Sequence, residues 1–183
     1  MNQITVTKNA ARQLRSYFGW VYQNELIAPS DVQDGEIVDV LAPDGVFLAR
    51  GYINQKSQIA VRVLSFEPRD IDAAFFSARI SNALSKRTHI SQTSDAYRLI
   101  HSEADFLPGL IVDWYNGYVS IQINTLGMEL QRQAILDALI ALLSPKGIID
   151  KSDAKVRTKE GIETQNGVVY GDVPEEVTIT ENG

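Results

Sequence analysis

Apolar positions in QITVTK (3–8) and EIVDVLAP (36–43) recur with a period of two, the spacing of strands with one buried face. The runs WVYQNELI (20–27), VFLARGYI (46–53) and IAVRVLSF (59–66) read as further strands of the same series. The segment APSD (28–31) breaks the WVYQNELI run, Asp44-Gly45 is a hairpin turn signal, and NQKSQ (54–58) is a loop. One short helix interrupts the series over NAARQLRSYFG (9–19). Asn9 is its expected N-cap and Gly19 its stop. That helix should turn Leu14, Tyr17 and Phe18 inward and Arg12 and Arg15 outward. Short strands joined by tight turns predict a small, closed or nearly closed barrel over residues 1–68.

Past Pro68 the period changes to that of helices. Asp70 or Asp72 can cap a helix running to about Arg87, with Phe76, Ile80, Ala83 and Leu84 on its apolar face. THISQTSD (88–95) reads as a polar loop. YRLIHSEA (97–104), LIVDWY (110–115) and YVSIQIN (118–124) read as strands, with a turn at Asn116-Gly117. GMELQRQAILDALIALLS (127–144) predicts one long helix with Met128, Ile135, Leu139 and Leu142 on its broad apolar face, ended by Pro145 and Gly147. GIID is a short strand, Ser152 the expected cap of a last helix (153–160) ended by Gly161, and GVVYGD and VTITENG two further strands. The whole is α+β, a barrel over 1–68 followed by a mixed α+β module over 69–183.

Composition sets outer bounds. The 183 residues contain no cysteine, which excludes disulfides, cysteine zinc sites and thiol nucleophiles within the chain and fits a reducing cytoplasm. No apolar run reaches the roughly 18 residues of a membrane span, and MNQITVTKNAARQ lacks the apolar core of a secretory signal. The net charge of −6 argues against indiscriminate nucleic-acid binding but leaves room for a local basic face.

Three clusters carry candidate chemistry. HSEADFLPGLIVDWYNG (101–117) gathers His101, Glu103, Asp105 and Asp113 around a Pro-Gly turn. Paired carboxylates can do acid–base work, and Glu103 with Asp105 could serve a hydrolase. Strand alternation separates these residues, however, and His101 with Glu103 offers only two metal ligands, the other histidine being His89. The structural reading, carboxylates that shape a hairpin, is preferred. The second cluster is Lys8, Arg12, Arg15, Arg50, Lys56 and Arg62 with Tyr52, cations able to track phosphates and an aromatic ring able to stack on a base. Several aspartates share that module, so a solvated surface is the alternative. The third is Lys151, Lys155, Arg157 and Lys159, by default a solvated helix face. No P-loop or G-x-G-x-x-G motif occurs.

The motifs "GWVYQNEL", "DGEIVDVLAPDGVFLARGYINQKSQIAVRVLS", "FFSARISNALSKR", "YRLIHSEADFLPGLIVDWY", "GMELQRQAILDAL" and "VVYGDVPEEVTITENG", in that order, resemble a bacterial family of S-adenosylmethionine-dependent rRNA methyltransferases. The resemblance runs nearly end to end. It implies a PUA domain, an RNA-binding pseudo-barrel, then a central α+β domain, in enzymes similar to cytosine-C5 methyltransferases of large-subunit rRNA. The family pattern continues past "ENG" into a Gly-rich cofactor loop and catalytic cysteines. The resemblance therefore implies RNA recognition, no catalytic or cofactor residue in this chain, and S-adenosylmethionine in the parent protein. It also leaves a homodimer open. A stand-alone RNA-binding module is the alternative, which the reading frame after Gly183 would decide.

Overall fold

The computed structural model describes residues 1–27 and 31–182. Most of the break expected at 28–31 lies outside the described residues. The first sheet comprises β1 (Asn2–Thr5), β2 (Trp20–Tyr22), β3 (Ile37–Leu41), β4 (Phe47–Ile53) and β5 (Ile59–Ser65), in the order β1-β3-β4-β5-β2. β1 runs parallel to β3, and the other pairings are antiparallel. The two edges of the sheet come together just beyond the strands. Val6 bridges Leu26, the Thr7 N–H donates to the Glu25 carbonyl at 2.8 Å, and the Ile27 N–H donates to that of Thr5 at 3.0 Å. Helix α1 (Lys8–Arg15) buries Ala10, Ala11 and Leu14 against Val38, Val40, Ile53 and Val61.

Local chemistry moves several expected boundaries. Thr7, not Asn9, caps α1, its hydroxyl accepting from the Ala10 N–H at 3.3 Å, while the Asn9 amide donates to Glu25. The helix stops at Ser16, three residues before Gly19. The Tyr17 N–H bonds the Leu14 carbonyl and the Phe18 N–H that of Gln13, the pairing of a Schellman motif, with Tyr17 at φ 62° where glycine is usual. Tyr17 and Phe18 thus leave the helical spacing that would have turned them inward, and both are exposed. The run 20–27 shortens to a three-residue strand because the Glu25 carboxylate accepts the Tyr22 N–H and winds 23–25 into a 3₁₀ turn.

The second sheet, β6 (Ala96–His101), β7 (Leu110–Tyr115), β8 (Tyr118–Ile123), β9 (Gly147–Lys151) and β10 (Asn166–Gly171), has the order β10-β9-β8-β7-β6. Burial alternates along β8, as expected of a sheet covered on one face. Its core joins Val119, Ile121 and Ile123 of β8 to Phe76 and Ile80 of α2 (Ala73–Arg87) and Ile135 and Leu139 of α4 (Arg132–Leu143). Asp72 caps α2 through the Phe75 N–H. α3 (Leu126–Leu130) and α4 replace the single helix expected, parted at Gln131 (φ −101°, ψ 9°), and Leu142 faces solvent. Asp153 rather than Ser152 caps α5 (Ala154–Glu160). Ser152 is instead buried, donating to Asp150 and accepting from the Ile123 N–H. VTITENG forms no strand over its described residues; Thr180 exchanges two hydrogen bonds with Asp95, the Thr178 carbonyl accepts from Asn116, and the Asn182 N–H donates to Ser94.

The two cores meet at Tyr52. It sits on β4 of the first sheet but packs, with Leu64, into the core of the second. Its hydroxyl donates to the Pro108 carbonyl (2.9 Å) and meets the Thr125 hydroxyl (2.8 Å). Gly127 lies flat on its ring, where a Cβ would come within 2.0 Å of the Tyr52 Cγ. A polar seam continues the contact. Asn54 donates to Glu160, Arg62 pairs with Glu103 and Glu160, and the Trp20 indole N–H donates to Glu103 at 3.1 Å.

Candidate nucleic-acid interface

Lys8, Arg12 and Arg15 follow one another at helical spacings of four and three, so they line one stripe of α1, away from buried Ala10, Ala11 and Leu14. All three are exposed. The Arg12 guanidinium is steadied by Asn9, whose side-chain oxygen accepts from it at 2.9 Å. None of the three takes part in an ion pair among the described residues, so the stripe presents uncompensated positive charge.

The other members of that sequence cluster do not join it. Arg50 is buried, binds both Asp39 oxygens (2.7 and 3.2 Å) and donates to the Arg69 carbonyl. The Asp39 hydrogen bond, working against burial, holds its pKa above the usual arginine range. Tyr52, expected as a stacking residue, is 1% exposed, and burial pushes its hydroxyl pKa up. Its ring belongs to the junction of the two cores and is closed to a base. Arg62 is spent on Glu103 and Glu160. Lys56 is exposed but sits 4.0 Å from Asp34 and beside Gly161 at the end of α5. Strand alternation could not reveal these fates, because each depends on a partner on another strand or on a distant part of the chain.

The carboxylates of 101–113 are similarly accounted for. Asp105 accepts both Arg87 nitrogens (2.8 and 2.6 Å) and the His101 N–H (2.8 Å), with Lys86 at 3.7 Å. Burial raises its pKa, but these donors together outweigh burial and hold it below the usual aspartate range. Asp113 is held by Arg98. A carboxyl kept ionised by an arginine is unsuited to acid catalysis, and the described residues contain no His/Cys/Asp/Glu group able to hold a metal. Lys151, at the end of β9, and Lys155 and Lys159 of α5 are exposed, whereas Arg157 of α5 is 1% exposed and bound to Glu129 and to the Ile123 and Glu163 carbonyls. Sequence reasoning missed the buried network that this makes with Arg132 and Asp150, the latter pair 2.8 Å apart. Among the described residues no helix is long and apolar enough to cross a membrane.

Residues 4–66 match the family of PUA-like domains. The chain is 41% identical over 154 residues to Ribosomal RNA large subunit methyltransferase I of Vibrio vulnificus, covering 82% of this chain and 39% of that protein. The enzyme of the same name from Escherichia coli O157:H7 is 36% identical over 94% of this chain and 44% of its own length. That from Vibrio parahaemolyticus is 34% identical over 98% and 46%. The chain thus spans less than half the length of these relatives. The fold also matches, over the whole chain, 46% of a solved structure in complex with SAH (TM-score 0.85, 20% identity) and 47% of one from Streptococcus mutans (TM-score 0.83, 19% identity), a likeness of fold. The chain is a mixed α+β protein with a PUA-like domain, homologous to methyltransferases of large-subunit rRNA.

Proposed function

We propose that this chain is the RNA-recognition portion of an S-adenosylmethionine-dependent methyltransferase of large-subunit rRNA, whose full-length form modifies cytosine at C5. The observation that carries the reading is the unpaired stripe Lys8, Arg12 and Arg15 on the PUA-like domain. In a chain of net charge −6, long-range attraction for RNA is weak, so a local stripe must supply the phosphate contacts. The division into an RNA-binding unit, 1–68, and a central unit, 69–183, belongs to the same proposal. So does the pseudo-barrel, supported by the Val6–Leu26 bridge between the two edges of the first sheet. Methyl transfer to C5 calls for a thiolate that adds to the base, and the chain has no cysteine. Cofactor binding and transfer are therefore assigned to the remainder of the longer protein, acting in the cytoplasm. A homodimer is not needed for this reading.

The test is Arg12→Ala with Arg15→Ala, measured by fluorescence anisotropy on an rRNA hairpin at two salt concentrations. Each lost phosphate contact should lower the salt slope by roughly 0.7 to 0.9. Unchanged affinity and slope would remove this face. Calorimetric titration of the chain with S-adenosylmethionine should show no saturable binding; a saturable isotherm would overturn the assignment of the cofactor.

A further inference from the structure

Six non-glycine residues among those described have a positive φ, and two of them are aromatic: Tyr17 (φ 62°) and Phe106 (φ 57°). Left-handed backbone is uncommon for bulky side chains, and such strain persists only where the surroundings impose it, often at ligand clamps. The two residues are about ninety positions apart, yet they line the same cleft of about 220 Å³ with Phe18, Trp20, Phe66 and Glu103. Tyr17 is 75% exposed, Phe106 42% and Phe18 39%. Tyr17 stands edge-on to Phe66 (5.0 Å between centroids) and Phe18 edge-on to Trp20 (5.8 Å). Packing inside the chain thus leaves part of each of these rings exposed to solvent.

Two arginines border these rings, one of them, Arg62, already paired with Glu103 and Glu160. Arg79 stacks on the Phe106 ring at 5.0 Å and Arg62 lies 6.0 Å from that of Trp20. The one carboxylate in the lining, Glu103, is engaged by Trp20, Ser102 and Arg62. Phe18 also borders the neighbouring hollow of Arg12, Gln13 and Ser16, so the aromatic cleft runs directly into the basic stripe of α1. The volume is below the roughly 300 Å³ of pockets for drug-sized ligands, a scale suited to one ring system.

We propose that this cleft receives an unstacked base of single-stranded RNA on Tyr17 and Phe106, while Arg12 and Arg15 hold the adjoining phosphates. The proposal rests on the RNA-recognition reading and adds the substrate class: an unpaired segment rather than a duplex, whose bases are not free to stack on protein rings. The aromatic rings supply affinity without strict base choice, because every base offers a π face.

The test uses a short labelled unstructured RNA, with Trp20 emission in the Trp114→Phe chain as a second signal. Tyr17→Gly and Phe106→Asn place residues that tolerate the left-handed backbone at both positions, so the fold is retained. Each should weaken binding roughly 5- to 150-fold, the range for one lost base stack. Bound RNA should quench Trp20, and duplex RNA of the same sequence should compete poorly. If the wild-type chain binds no RNA, the recognition reading itself fails. If it binds, and Arg12→Ala weakens it while both aromatic variants bind as wild type, the base cleft alone is overturned and the rings belong to a protein contact. Equal competition by duplex overturns it as well.

Discussion

Asp105 shows how one side chain can look catalytic in a sequence and prove structural. It is almost fully buried, and burial alone would favour its neutral form. Arg87, the His101 N–H and Lys86 reverse that preference. A carboxylate whose folded pKa is depressed stabilises the fold above its unfolded value, about 3.9, and that contribution is lost as pH falls through the lower, folded value. Asp105→Asn should destabilise the chain by about 3 kcal/mol at pH 7, the lower end for a broken buried pair because Arg87 retains 16% exposure. Its denaturation midpoint should also fall less than that of wild type as pH is lowered below about 4. An unchanged acid limb would show that other carboxylates, such as Glu129 beside Arg132 and Arg157, carry the pH dependence. Tyr17 makes a second case. Replacing it by glycine removes a ring contact of about 0.5–1.5 kcal/mol with Phe66 but relieves about 1–2 kcal/mol of left-handed strain. Thermal melts of Tyr17→Gly should therefore lie close to wild type; a large loss would make Tyr17 a structural residue.

At the scale of elements, α3 is decided by what lies across from it. Gly127 is a poor helix former, and alanine there would gain about 1 kcal/mol of propensity in isolation. In the folded chain that Cβ would penetrate the Tyr52 ring, and overpacking typically costs about 1–3 kcal/mol or more. Gly127→Ala should therefore destabilise the protein on balance in urea denaturation, opposite in sign to its helix propensity. A stabilised variant would mean that α3 can lift from β4. The end of α1 has the same logic: its stop is set by backbone hydrogen bonds to Gln13 and Leu14, not by the glycine three residues on.

For the whole molecule, the question is whether the two sheets unfold together. Tyr52, Leu64, the Gly127 contact and the Asn54–Glu160 and Arg62–Glu103 bonds join the two cores directly. Each half has one tryptophan, Trp20 in β2 and Trp114 in β7. Single-tryptophan variants, Trp114→Phe and Trp20→Phe, should report coincident denaturation midpoints in the otherwise wild-type chain. Adding Tyr52→Ala to each should separate them, because it removes the ring and both buried hydrogen bonds at the junction. Midpoints that differ before that change would show two independent units.

The local pattern was enough for much of this. The alternating run 36–43 located β3, the strand-like runs after it located β4 and β5, the helical stretch to Arg87 located α2 with Asp72 as one of two candidate caps, and Gly161 ended α5, because these features depend on near neighbours in the chain. The outward face of Arg12 and Arg15 was legible for the same reason, but Lys8 joins them only because α1 starts one residue before the helix the pattern predicts. What the sequence could not decide was which charges would be consumed. Arg50 meets Asp39 across adjacent strands, Arg62 meets Glu160 from the far end of the chain, and Tyr52 faces α3. The aromatic cleft was hidden in the same way, since Tyr17 and Phe106 converge only when α1 and the 102–105 turn are set against one another. Spacing along the chain fixes the direction of a side chain on its own element, whereas its partner, and so its availability to a ligand, depends on the packing of elements remote in sequence.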